Sequence, residues 1–286
     1  MNLSLVDRAL FLISRRSADE VDTDTRPLRL TRQEALLRWE EDPSSLAGVD
    51  LTGIDLSGAS LPGVDLTGAI LRDTSFVGAD LRGARLIEAN LSACDLSGAN
   101  LTGADLRDAN CLRSGGDHRP VRMRRTTLVG AGLLGCNLSH ADLRQADLED
   151  AVLREANLHC ADLTEARLDS CDLRGANLRH ACLQGAVAEN ADFGTADLSR
   201  ARAARIDLTG ADLGRANLIQ ADLSAANLSG ARLSEAFLIE ADLRGAQLAG
   251  ADFTDADLDA VRIAGLDLTN VDFSRSRNLP AHVVMR

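Results

Sequence analysis

The sequence predicts an all-β solenoid, a single rod of stacked coils filled by small and aliphatic side chains. Three observations point there. Leu or Phe recurs every fifth residue over most of the chain, as at Leu51, Leu56, Leu61, Leu66, Leu71, Phe76 and Leu81. A small or slim apolar residue stands two places before each, as Ala59, Ala79, Ala84 and Cys94 do. Aromatic residues make up only 2% of 286 residues, with no Tyr and one Trp, Trp39. A layered globular core of this length draws on many more rings. A period of five matches neither the 3.6 of a helix nor the 2.0 of a free strand, so the chain must turn a corner in each unit.

Taken in order, residues 1–48 read as an N-terminal helical cap. Thr31 to Glu34 (TRQE) has the form of a capping box, and Ala35, Leu36, Leu37 and Trp39 follow on one side, which predicts a helix over 32–41 lying across the first coil. A weaker helical pattern runs from Leu5 to Ile13. The first run of coils occupies 49–113, 65 residues or 13 units of five. Residues 114–120 (SGGDHRP) are a seven-residue insertion that breaks the phase once and must bulge as a loop. The second run fills 121–275, 155 residues or 31 units. A tail, 276–286, contains Pro280, which excludes a long closing helix. Gly at the last unit position (Gly53, Gly58, Gly98, Gly103, Gly210) suits tight corners.

The unit A-(D/N)-L-x-x, repeated over about three-quarters of the chain, resembles the pentapeptide-repeat family very specifically. The resemblance implies a right-handed quadrilateral parallel β-helix with four units per coil. On that geometry 44 units make about 11 coils, and a coil spacing of about 4.8 Å makes a rod roughly 50 Å long.

Charge and composition exclude several functions. The chain carries 31 basic and 43 acidic residues, net −12, which argues against direct nucleic-acid binding because phosphate contacts need positive surface. Six cysteines lack any CxxC or close pairing, a pattern expected of a reducing cytoplasm. Leu3 to Ile13 is interrupted by Asp7 and Arg8 and does not read as a signal peptide, and no apolar stretch is long enough to span a membrane. There is no GxSxG, Walker or HExxH motif, and a filled rod has no ligand-sized cavity, so neither an enzyme nor a cofactor is expected.

Three places stand out as candidate sites. Asp occupies the second unit position twenty times, so nearly half of the acidity belongs to the repeat itself. Twenty-residue spacing nevertheless stacks Asp172, Asp192, Asp212, Arg232, Asp252 and Asp272 into one column, an acidic face. Around the insertion, Arg113, His118, Arg119, Arg122, Arg124 and Arg125 form a basic segment on an acidic protein, a candidate partner-binding loop. Finally, His140, Cys160 and His180 share one corner at one-coil spacing, with His159 beside them. These residue types could hold Zn²⁺. The outer pair, however, would stand about 10 Å apart at the backbone, so the spacing predicts no metal.

Some pentapeptide-repeat proteins mimic DNA, bind DNA gyrase, and protect it from fluoroquinolones or peptide toxins. The resemblance therefore implies a bacterial, cytoplasmic, non-enzymatic ligand of a type II topoisomerase, with DNA gyrase the candidate protein partner. The alternative is a generic protein–protein interaction scaffold. Neither reading involves a membrane, and a homodimer, if one forms, would use a coil end.

Overall fold

The computed structural model describes residues 30–111, 120–263, 266–268 and 270–279. The Leu5–Ile13 helix, Arg113, His118, Arg119 and Pro280 lie outside the described residues.

One contact rule generates the architecture. Each second-position residue bridges in parallel to the residue twenty positions on, as in Asp50↔Ile70, Asp55↔Ser75, Ser60↔Asp80 and Asp65↔Arg85. Four five-residue units therefore complete a coil, and the chain is a β-helix. One column of bridges runs Asp50, Ile70, Asn90, Asn110, Asn137, Asn157, Asn177, Asp197, Asn217, Phe237, Asp257 and Arg277. Across the insertion the offset changes from 20 to 27, as in Asp95↔Arg122 and Asn110↔Asn137. The seven extra residues thus leave the stacking of the coils undisturbed.

Backbone hydrogen bonds explain why five residues suffice per side. The Leu51 N–H donates to the Ile70 carbonyl of the next coil at 2.8 Å, and the Ile70 N–H donates back to Val49 at 2.9 Å. Between these rungs the Ile54 N–H donates to the Leu51 carbonyl at 3.2 Å, closing a turn. The third residue of that turn, Gly53, has φ +73°. A type II turn requires such a positive φ there.

Both apolar positions point inward. Leu56, Leu81, Leu158 and Leu228, with Ala79, Ala146, Ala176 and Ala216 between the Leu columns, are buried in one continuous cluster that extends to Ile263. Three polar side chains that stand in place of Ala each find a carbonyl. Thr74 Oγ1 donates to Leu51 O at 2.7 Å, Thr126 Oγ1 to Leu96 O at 2.8 Å, and Cys171 Sγ to Leu148 O at 2.8 Å. A buried hydroxyl without such a partner would cost about 1–3 kcal/mol.

Helix α1 spans Arg32–Glu41, with Thr31 as its N-cap and a reciprocal capping box to Glu34. Ala35 is buried in the same apolar cluster as Leu30, Leu46 and Leu51, and the Arg32 guanidinium donates to the Asp55 and Ser57 carbonyls at 2.6 and 3.1 Å. The helix is thereby held against the first coil. Among the described residues no helix is long and apolar enough to cross a membrane.

Candidate functional site

The rod's outer surface is made of columns, and the acidic one is where twenty-residue spacing puts it. Val152, Asp172, Asp192, Asp212, Arg232, Asp252 and Asp272 bridge in succession. Each of the five carboxylates also has a local duty. Oδ1 accepts the backbone N–H two residues on, from Arg174, Gly194, Gly214, Thr254 and Ser274, at 3.3, 2.9, 2.9, 2.8 and 2.8 Å. These are Asx turns, in which a short side chain replaces a backbone acceptor. One oxygen of each carboxylate is thus committed to the corner.

Arginines interleave with the acids. Arg174 chelates Asp172 at 2.5 and 2.8 Å and lies 3.4 Å from Asp192, while Arg232 lies 3.2 Å from Asp212. The Asp172 carboxyl sits below the usual carboxylate range, chiefly through the Arg174 hydrogen bond and against the opposing effect of partial burial. The same D-L-R sequence makes the same pair at Asp80–Arg82, Asp105–Arg107, Asp142–Arg144 and Asp242–Arg244, each at 2.6 Å. Sequence spacing missed this pairing because it compared coils and not neighbours within a unit. It also missed a second acidic column, in which Asp142 and Asp162 stack, as do Asp222 and Asp242.

Of the basic segment, Arg122, Arg124 and Arg125 belong to the coil. Arg122 bridges to Asp95 and pairs with its carboxylate at 2.8 Å. Arg124 lies 3.6 Å from Asp142, and Arg125 Nε donates to Gln145 Oε1 at 2.8 Å.

The histidine corner is tighter than column spacing predicts. The His159 ring stands between those of His140 and His180, edge-on to both with centroids 5.7 Å apart. Its Nε2 lies 3.4 Å from Cys160 Sγ. His140, His159 and Cys160 bring one ligand atom each to within 4.8 Å of one another. The compact trio is therefore His140, His159 and Cys160, with His180 as the flank, and not the His140, Cys160 and His180 column read from spacing. An open groove of about 530 Å³ is lined by His159, Cys160, His180, Arg200 and Arg202.

The family model for pentapeptide repeats matches in eight copies over residues 49–86, 84–114, 131–169, 171–210, 204–238 and 238–275. Among solved structures, the chain is similar to HetL, a pentapeptide repeat protein involved in heterocyst differentiation regulation in Nostoc sp. strain PCC 7120. The identity is 32% over 83% of this chain and 98% of that one, with a TM-score of 0.44. A pentapeptide repeat protein of the Arabidopsis thaliana thylakoid lumen is 36% identical over 38% of this chain and 71% of its own, with a TM-score of 0.35. QnrB1, a plasmid-mediated fluoroquinolone resistance protein, is 22% identical over 73% and 93%, with a TM-score of 0.36. No curated protein matches the chain's sequence significantly. With repeats matched over well more than half its length, the chain belongs to the pentapeptide-repeat family.

Proposed function

We propose that this chain is a non-enzymatic, macromolecule-binding rod that acts as a DNA-mimicking ligand of DNA gyrase or another type II topoisomerase and protects it from topoisomerase poisons. In this reading the rod is a right-handed β-helix of about eleven coils, closed at its first coil by α1, in a bacterial cytoplasm. The observation that carries it is the register of Asp172, Asp192, Asp212, Asp252 and Asp272 on one face. Carboxylates about 4.8 Å apart repel by only about 1 kcal/mol in water, so the column is tolerable. Duplex DNA carries a charge every ~1.7 Å, about threefold denser. Mimicry here would rest on rod shape with moderate charge, competing for a cationic DNA-binding surface.

A specific feature favours the second reading, an interaction scaffold. The acids are partly neutralised by Arg174 and Arg232, and Phe237 is 41% exposed in the Asn-rich column, where an apolar partner surface would cover it. One assay separates the two: DNA supercoiling by gyrase with ciprofloxacin and the purified full chain. Protection or inhibition at micromolar protein, weakened by Asp192→Asn with Asp212→Asn, supports the topoisomerase reading. No effect at that concentration ends it and leaves the scaffold. If protection appears, deleting 114–120 without loss of the β spectrum tests whether the basic loop contributes.

A further inference from the structure

We propose that His140, His159 and Cys160, flanked by His180, form a binding site for one borderline divalent cation, with Zn²⁺ as the probe. Three of the chain's five histidines meet at this corner. Tetrahedral Zn²⁺ with bonds of about 2.0–2.3 Å needs ligand atoms roughly 3.3–3.8 Å apart. The His159 Nε2 to Cys160 Sγ separation of 3.4 Å already meets that, and the full trio lies within 4.8 Å. Side-chain rotation of about 1 Å closes the remainder. His140 is exposed and His159 and Cys160 are half-buried, so the donors are reachable from solvent without opening the core.

The backbone explains why this corner can converge. His140, Cys160 and His180 have φ of +61°, +56° and +57° at successive coils. Their side chains therefore leave the rod from one edge, and the His159 ring fills the gap between the outer two. The expectation of no metal rested on the distance between His140 and His180. With His159 in place of His180 as the second imidazole, that objection falls away and a water completes the set as the fourth donor.

Binding would be simple ligation without redox change. The Cys160 thiol gives its proton to solvent and its sulfur lone pair to the cation, while each imidazole binds neutral through one ring nitrogen. Arg200 and Arg202 border the groove and add positive charge. They disfavour a bare cation, and they would draw an anion toward any open coordination position.

The experiment titrates metal-free full chain with Zn²⁺ by calorimetry, and Co²⁺ by absorption. We expect one equivalent of Zn²⁺, and a thiolate-to-cobalt charge-transfer band with Co²⁺. Cys160→Ser should abolish that band, and Cys160→Ser or His159→Ala should weaken Zn²⁺ binding at least about tenfold. His180→Ala should have a smaller effect. Retention of the β spectrum checks that each variant folds. Absence of saturable binding or of the cobalt band in the unaltered chain overturns the proposal, as does wild-type affinity in folded Cys160→Ser. Neither readout depends on gyrase.

Discussion

The two runs of coils solve the same corner in different ways. From Gly48 to Gly103 most corners are glycine with positive φ, and nothing lies within 4 Å of where a Cβ would stand. In the second run the same left-handed conformation is held by Arg125, His140, Gln145, Cys160, Glu165, Arg200, Gln220 and Glu240, among others. A non-glycine residue there costs roughly 1–2 kcal/mol. What the second run obtains is stacking. Arg125 donates to Gln145 and Gln145 to Glu165, at 2.8 and 2.7 Å. The Arg200–Gln220–Glu240 ladder repeats the pattern at 2.8 and 2.7 Å, and Arg215 clasps Glu235 with two bonds of 3.0 Å. A corner without a Cβ cannot build such a ladder, and the histidine site occurs only where the corners carry side chains. Backbone strain and surface chemistry are thus traded against each other along one rod.

That comparison can be broken most forcefully in the core, where the two runs should be equal. Leu81→Ala in the first and Leu158→Ala in the second each leave a hole in a fully buried column. Each should cost about 2–5 kcal/mol by chemical denaturation, and a large difference between them would show that the runs differ inside and not only at the corners. Smaller effects test the corners themselves. Gly83→Val, at φ +63° with open space around it, should cost roughly 1–2 kcal/mol from backbone strain alone. Ala225→Gly, at φ +55°, should stabilise by about 0.5–1 kcal/mol. Gln145→Gly relieves the same strain but loses both ladder bonds, so its net effect should lie near zero. An equal gain from both glycines would mean that the ladders contribute nothing.

Acid should weaken both runs alike. Asp80, Asp105, Asp172 and Asp242 lie below the ordinary carboxylate range, first because of the hydrogen bond from the arginine two residues on. A depressed folded value means that the stabilisation is present above the unfolded value near 4 and is lost as pH falls through the folded one. The denaturation midpoint should therefore hold steady down to about pH 5 and drop below about pH 4. A drop centred near pH 6 would point to another group. The mildest perturbation is chemical. Cys160 and Cys182 are half-buried, whereas Cys94, Cys111, Cys136 and Cys171 are buried, and burial pushes the Cys171 thiol up to about 12. A thiol reagent should modify Cys160 and Cys182 in the folded protein and reach the other four only on unfolding.

Much of this was legible in the chain because the repeat is local. Inward Ala and Leu positions follow from the five-residue period, and the Asp172 column follows from counting twenties once the resemblance implies four units per coil. Helix α1 begins where Thr31 and Glu34 can satisfy each other's backbone partners. The D-L-R clasp was equally available, as a two-residue spacing, but comparison between coils passes over contacts within one unit.

What the sequence alone determined is which residues point in and which point out, because a fixed repeat makes position in the unit equivalent to a direction in space; which stack on which followed only with the four units per coil that the family resemblance implies and the parallel bridges display. The tertiary structure decided what stacked neighbours do to each other. Whether an exposed Asp is free charge or the acceptor of a turn, and whether His159 or His180 approaches His140, depends on side-chain direction at a left-handed corner. That direction is set by backbone dihedrals and by the coil above and below, not by spacing along the chain.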